Sequence, residues 1–385
     1  MLTSLIRSLP QLGRKWKPLN FSNPNFVRIP VTQKLEEQTM PDYVASRYYP
    51  AKIGDILQDK YQVVGKLGFG ANSTVWLARD MRYRRCVTLK IYVKSASIGQ
   101  CLDDKLNMYK RIEAGSKNHP GCGAVRSLLD SFDIDRAEDK HRCLVHPPLW
   151  ESVTRNVLAF ILKRLFLALD YLHTECQVIH TDIKAGNIMF GIADDSVFDG
   201  LVDGLVDDEI RIPCPRKELD VRTIYVSQEL GLPKEWGAPA LCDFGSAMPG
   251  GVEHLEDIQP NMHRAPEVIL EAPWTYSVDI WNMGCMIWNI FEGETLFTGY
   301  DSEYQTYRSR AHLADNIRLL GPPPPDLIAR GKLSHKFFSD EGDFCAGIPL
   351  KEPVPLEQRE TTLEGQEKAD FLLLVRKMLR WNPPA

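Results

Sequence analysis

The residues with types and spacings suited to phosphoryl chemistry fall in a few short stretches. The densest is His180-Thr181-Asp182-Ile183-Lys184-Ala185-Gly186-Asn187. Asp182 carries a carboxylate able to accept the proton of an attacking hydroxyl. Asn187 offers an oxygen to a metal ion, and Lys184 a charge that neutralises a moving phosphoryl group. Asp243-Phe244-Gly245 follows, and Asp243 suits a Mg²⁺ that bridges phosphates. Ala265-Pro266-Glu267 and Asp279 come later. Upstream lies Leu67-Gly68-Phe69-Gly70-Ala71-Asn72-Ser73-Thr74-Val75, a glycine turn whose N–H groups can approach phosphate oxygens. Ser73 stands where a third glycine is usual, and no Gly-Lys-Ser/Thr follows, which excludes a Walker loop. Lys90 ends the apolar half-strand Val87-Thr88-Leu89, 22 residues after Gly68, and suits the α- and β-phosphates of a nucleotide. Each fragment alone reads as a turn, a cap or an edge lysine. All of them in this order do not.

The elements that must position these residues are legible. Tyr61 to Leu67, Thr74 to Ala78 and Cys86 to Tyr92 are β-branched or aromatic runs separated by turn residues. A charged helix is expected over Leu102 to Ala114 and a strand over His141 to His146. The clearest helix spans Val157 to His173, with Leu158, Ile161, Leu162, Leu165, Leu169 and Leu172 on one face. Val278 to Phe291 is too short and too polar to span a membrane and reads as a buried helix. The resulting class is α+β, with a small mainly-β half followed by a larger mainly-α half.

At 385 residues, two lobes or two to three domains are expected. The chain is 44% hydrophobic and 25% charged, which excludes a disordered or fibrous protein. A net charge of −5 argues against nucleic-acid binding through a whole-protein positive field. The nine cysteines show no CxxC or zinc spacing, which fits a reducing compartment. Residues 1–42 begin as a basic stretch with no acid before Glu36 and are expected to be a disordered tail. The competing reading is a mitochondrial targeting segment, with Leu2, Leu5, Ile6 and Leu9 on one helical face. Residues 191–220 hold nine acids and three bases and read as a solvated acidic insertion.

The ordered set resembles the protein-kinase signature: glycine-rich loop, strand lysine, catalytic-loop Asp and Asn, DFG and APE. More narrowly it resembles the SR-protein kinases, in their divergent fungal form. Arg47-Tyr48-Tyr49-Pro50-Ala51-Lys52-Ile53-Gly54-Asp55 resembles that family's entry to the first strand, and His-Thr-Asp in place of His-Arg-Asp is its form. Arg264 before Ala265, and the stretch from Leu296 through Phe337-Phe338, are similar to the group that also holds cyclin-dependent and mitogen-activated kinases. The resemblance spans Tyr43 to Trp381 and implies a bilobal kinase fold. Residues 43–146 would form the N-lobe and 147–385 the C-lobe, with the group's insert at about 296–355.

The resemblance implies an ATP- and Mg²⁺-dependent serine/threonine protein kinase. Leu67, Gly68, Phe69, Gly70, Ala71, Asn72, Ser73 and Val75 would cover ATP, Lys90 would grip its phosphates, and Asn187 and Asp243 would hold the metal. Asp182 would orient the substrate hydroxyl, Lys184 would stabilise the transferred group, and Asp279 would anchor the catalytic loop. Cys143 to Leu149 looks like the adenine hinge, with His146 as gatekeeper and Pro147 and Leu149 facing adenine. Substrates would be proteins, with Arg/Ser-rich splicing-factor tails as the family analogy. No membrane span and no direct nucleic-acid contact are expected, and a monomer in cytoplasm and nucleus is the default, with the mitochondrion as alternative.

Several departures bear on activity. Position 105, where relatives carry a glutamate that pairs with the strand lysine, is Lys105. Gly186 replaces an acid. Seven residues, Trp150 to Asn156, replace the usual short helix after the hinge. The chain stops at Ala385, where the family's last helices begin, and reads as a truncated C-lobe whose Glu267 lacks its arginine. These features make a pseudokinase scaffold the alternative. Between Asp243 and Glu267 the only hydroxyl side chain is Ser246, and Thr181 stands where an arginine would receive an activating phosphate. A kinase needing no activating phosphate is expected.

Overall fold

The computed structural model describes residues 15–21, 23–94, 98–136, 139–152, 158–198, 213–220, 222–231 and 233–382. The apolar face at Leu2 to Leu9, residues 199–212 of the acidic insertion and residues 153–157 lie outside them. The chain forms two compact units, each discontinuous in sequence.

The first unit takes described residues of 15–104, 126–150 and 190–238. Its centre is a six-stranded sheet. In chain order the strands are β1 (Ile56–Leu57), β2 (Tyr61–Gly70), β3 (Ser73–Asp80), β4 (Arg85–Tyr92), β5 (Asp130–Arg136) and β6 (Asp139–His146). Their spatial order is β1-β2-β3-β4-β6-β5, and every neighbouring pair is antiparallel. Strands β2 and β3 run through the glycine turn, so both are longer than their apolar runs alone suggest. Strand β5 escaped the sequence reading because Asp130, Asp133 and Asp135 mask the alternation of Phe132 and Ile134. Side chains alternate between faces. Val63, Trp76, Ala78, Leu89 and Val145 belong to one cluster, and Val64 and Leu77 to another with Val197 and Phe198. The segment after residue 190 packs against both clusters, through Val197 and Phe198 on one and Cys214 and Tyr225 on the other, which is why it belongs to this unit.

Residues 15–42, expected as a tail, are laid along this unit by hydrogen bonds. The amide of Leu19 donates to Gln62 Oε1 (2.8 Å) and Gln62 Nε2 donates back to Leu19 O (2.9 Å). The Arg79 guanidinium lies 4.4 Å from the Trp16 ring centroid. Ile29 N–H donates to Arg216 O (3.0 Å), and Arg216 N–H to Val27 O (3.0 Å). Basic composition suggested a solvated tail, but Trp16 and Gln62 supply specific partners. Within the expected insertion, Arg216–Glu218 forms a short antiparallel pair with Thr223–Tyr225 just beyond it.

The second unit takes described residues of 105–125, 151–189 and 239–382. Helix α1 (Ile98–Ala114) enters it from Lys105 onward. Helix α2 (Leu158–Asp170) buries Leu158, Ile161, Leu165 and Leu169, as the spacing predicts. It ends in one wider turn, Tyr171–Glu175, rather than continuing regularly. Helix α3 (Ser277–Glu292) is the expected buried helix, with Val278, Trp281, Met283, Cys285 and Trp288 all inside. Gly293, at φ +77°, supplies the left-handed residue that stops it. Helices α4 (Ser309–Leu320) and α5 (Gly365–Met378) follow, and Leu372 and Val375 of α5 join the α3 core. Among the described residues no helix is long and apolar enough to cross a membrane.

Candidate active site

In the first unit, strand register aligns the nucleotide candidates. Gly68 is the Cα partner of Val75, Val75 of Lys90, and Lys90 of Leu144, one row across four strands. The β2 register shifts between Lys66 and Gly68, at the entrance to the turn. A Cβ added at Gly68 or Gly70 would meet nothing within 4 Å. That open side leaves room for a phosphate chain against the backbone. Strand β6 ends at His146, whose ring is buried and bonded through Nδ1 to Ser127 O (2.9 Å). At the expected hinge the Arg126 guanidinium donates to Pro147 O (2.9 Å). That carbonyl has a second lone pair, and Leu149 opens the next extended stretch, Leu149–Ser152.

In the second unit, α3 positions the catalytic-loop candidates. The Asp279 carboxylate is fully buried. It accepts from the amides of His180 (2.7 Å) and Thr181 (2.8 Å) and contacts His173 Nε2 (2.9 Å). Burial pushes this carboxyl up, but the His173 contact and the His180 amide outweigh it and hold the group below the ordinary carboxylate range. Asn282, one helical turn on, clasps Ile183 from both sides: its Oδ1 accepts from Ile183 N (2.9 Å) and its Nδ2 donates to Ile183 O (2.8 Å). Sequence reading missed Asn282. The available signal was an amide three residues after Asp279, on the same face of a largely apolar helix.

Between these anchors the loop is set tightly. Thr181 has φ +66°, a region a β-branched residue rarely enters. Its Oγ1 donates to Ser246 O (2.8 Å). His180 Nδ1 accepts from Asp182 N (3.2 Å), which leaves the proton on Nε2 for Cys242 O (3.0 Å). Asp182 Oδ2 receives Lys184 Nζ (2.8 Å) and Asn187 Nδ2 (2.9 Å). Asn187 Nδ2 also donates to Asp182 O (2.8 Å). Three expected residues, Asp182, Lys184 and Asn187, are thus brought into direct contact. Because the Asn187 amide nitrogen is committed to Asp182, its carbonyl oxygen is the atom left for a metal.

Asp243 is joined to this group through its neighbour, since Cys242 N–H donates to Asn187 O (2.8 Å). Its φ is +63° and its carboxylate accepts from Gly245 N (3.3 Å). Phe244 is buried against His180 (4.9 Å) and Tyr109 of α1 (5.6 Å). Lys105 Nζ, also on α1, lies 3.8 Å from where a Cβ on Gly245 would sit. Among the described residues no three His, Cys, Asp or Glu side chains cluster as a metal cage. An amide oxygen and a carboxylate still fit Mg²⁺, which commonly takes one or two protein oxygens and completes its shell with phosphate and water.

Comparison with known proteins gives the family. Residues 232–385 match the protein kinase domain family. A serine/threonine protein kinase of Aspergillus fumigatus is 38% identical, over 93% of this chain and 89% of its own length. The chain belongs to the serine/threonine protein kinases. The kinase is also 28% identical to the serine/threonine-protein kinase SRPK of Physarum polycephalum, over 80% of this chain and 78% of the relative. It is 22% identical to human SRSF protein kinase 3, over 90% and 88%. Protein kinases use ATP, generally with Mg²⁺.

The glutamate of Ala265-Pro266-Glu267 begins a short helical turn, Pro266–Ile269. Its side chain is buried, and Oε1 accepts from Ser277 Oγ (3.2 Å) while Oε2 has no partner among the described residues. Burial pushes its pKa up to about 7.

Proposed function

We propose that this kinase transfers the γ-phosphoryl of Mg-ATP to serines of basic, Arg/Ser-rich protein segments, of the kind found in splicing factors. The observation that carries the catalytic part is the contact set Asp182–Lys184–Asn187 fixed beneath Asp279 and Asn282. Asp182 holds the substrate hydroxyl and accepts its proton as the new P–O bond forms. Lys184 balances the charge of the transferred group. Asn187 Oδ1 and Asp243 would hold Mg²⁺, which when bound neutralises charge between the β- and γ-phosphates. In the first unit, Leu67 to Ser73 and Val75 would cover ATP, Lys90 would grip its phosphates, and Leu149 would meet adenine.

Charge supports the basic substrate. The segment between Asp243 and Glu267 exposes Glu253, Glu256 and Asp257. Asp257 is 76% exposed even while paired with Arg264 (3.2 Å). Cytoplasm and nucleus, and a monomeric state, complete this reading.

Phosphoryl transfer from labelled Mg-ATP to an Arg/Ser-repeat peptide tests it, with a generic basic protein for comparison and Asp182→Asn as control. Transfer that prefers the repeat peptide and vanishes in the control is expected. Equal transfer to both substrates would remove the Arg/Ser preference. A second reading, a kinase-fold scaffold, is favoured by the Lys105 amine beside Gly245. Absence of transfer from folded protein would decide for it.

A further inference from the structure

We propose that Tyr48 is a positioning residue of the nucleotide turn, held from behind by a buried ion cluster that joins the N-terminal segment to the 213–231 segment. The proposal rests on the reading of Leu67 to Val75 as the phosphate-covering turn, and all of its parts lie in the first unit. The Tyr48 side chain is buried, at 5% exposure, and its hydroxyl lies 3.2 Å from Gly70 O and 3.1 Å from Ala71 O. Those carbonyls form the tip of the turn between β2 and β3. A single O–H shared by two consecutive carbonyls fixes the peptide plane between them. It thereby sets where the neighbouring N–H groups point.

The tyrosine is itself fixed. Its ring lies 5.5 Å from the Arg222 guanidinium and 5.4 Å from the Tyr43 ring. Arg222 donates to Glu37 and to Ala45 O (3.5 Å). Glu37, which is fully buried, also receives Lys66, and Lys66 lies 3.3 Å from Glu36. Lys66 stands one residue before Leu67, where β2 shifts register, and its ammonium lies 5.3 Å from the Phe69 ring centroid. Gln228 N–H closes the arrangement on Lys66 O (2.8 Å), and Glu36 receives Ser227 N–H (2.9 Å). One cluster thus holds the turn at its base through Lys66 and at its tip through Tyr48. A glycine turn left to itself samples many conformations, and ordering it on binding would weaken nucleotide affinity. Tyr48 supplies that order in advance.

Tyr48→Phe removes only the hydroxyl and keeps the packed ring. The loss of one such hydrogen bond is expected to raise KM for ATP about fivefold, with kcat held within about twofold. In the nucleotide-free protein, amide exchange over residues 70–73 should quicken by a similar factor of about five. Tyr225→Phe is the control: its hydroxyl meets Ile53 N–H (3.4 Å) in the same unit, away from the turn, and both readouts should stay at the parent values. Unchanged exchange and KM in Tyr48→Phe would overturn the proposal, as would equal changes in the control. Faster exchange with KM unmoved would overturn the role in nucleotide positioning and the reading of the turn with it. A parent protein with no transfer activity would count against the kinase reading, while exchange would still decide whether Tyr48 holds the turn.

Discussion

Asp279 and Asn282 of α3 each hold the catalytic loop by two hydrogen bonds, and Asp279 acts where the backbone is strained. It bonds two consecutive amides, and the second belongs to Thr181, whose φ of +66° is costly for a β-branched residue. The loop is held in that shape because leaving both amides unpaired inside the protein would cost more. Asp279→Ala is therefore expected to lower kcat at least about tenfold and to destabilise the protein by about 3 kcal/mol. The check is steady-state kinetics beside chemical denaturation, and an unchanged kcat would remove Asp279 from its positioning role. Glu267 shows the opposite behaviour. Its folded pKa, pushed by burial from 4.5 to about 7, means that the folded state keeps a proton which the unfolded state has lost. Its stabilising contribution is full below about pH 4.5, declines as pH rises, and is gone above about pH 7. Glu267→Gln should leave stability at pH 4 nearly unchanged and raise it at pH 8 by up to about 3 kcal/mol. Denaturation midpoints of both proteins across pH 4–8 test the sign. Curves that stay parallel would show that Glu267 does not titrate in this window.

At the scale of elements, α1 delivers an amine where the family resemblance implies a carboxylate. Lys105 Nζ lies beside the Gly245 position, so the register deduced from resemblance coincides with a side chain that does reach the DFG turn. Lys105→Glu is expected to raise kcat/KM for ATP about three- to tenfold, because it replaces the amine beside the DFG turn with the carboxylate that the family resemblance implies there. No rise would mean that α1 aligns ATP by another route. The N-terminal helical turn Glu36–Thr39 performs a different task, burying Glu37 between two cations. Removing that carboxylate leaves Lys66 and Arg222 unneutralised in the interior. Glu37→Ala should cost about 3–5 kcal/mol in a urea titration, and a loss under about 1 kcal/mol would show that the cluster relaxes to water. These two elements differ in how far they could be read in advance. Helices α2 and α3 and the strands β2 to β4 follow from apolar periodicity, because burial on one face leaves a pattern in one segment. The Asp182–Asn187 contacts follow likewise from spacing within one loop. The Glu37–Lys66–Arg222 cluster does not, because its members are 29 and 185 residues apart and no local pattern records a partner so distant. Basic composition in residues 1–35 pointed to solvation for the same reason: charge is local, and the groups that bury it are not.

At the scale of the molecule, the question is how the segment from Asp243 to Glu267 stays in place without a phosphate. Several of the contacts that hold it are neutral or backbone-directed. Met248 and Pro249 pair with Ile179 and Val178 ahead of the catalytic loop. Gln259, at φ +70°, accepts from Ala265 N (2.8 Å) through Oε1 and donates to Val278 O (2.7 Å) through Nε2. The Arg264 guanidinium donates to Ile258 O (3.1 Å) and Gln259 O (3.3 Å) and pairs with Asp257 (3.2 Å). His254 and Trp274 exchange backbone bonds of 3.0 Å, and their rings stack at 4.7 Å. Thr181, in the place of a phosphate-binding arginine, spends its hydroxyl on Ser246 O instead. These contacts hold the segment with no added phosphate, and the expectation is that this is its working shape. Ser246→Ala, which leaves that carbonyl intact, should retain transfer activity within about twofold, because the bond from Thr181 goes to the backbone. Phosphatase-treated protein should keep its full rate. Activity that depends on a phosphate mapped between residues 243 and 267 would overturn this account. It would also mean that Gln259 and Arg264 hold a resting shape rather than the working one.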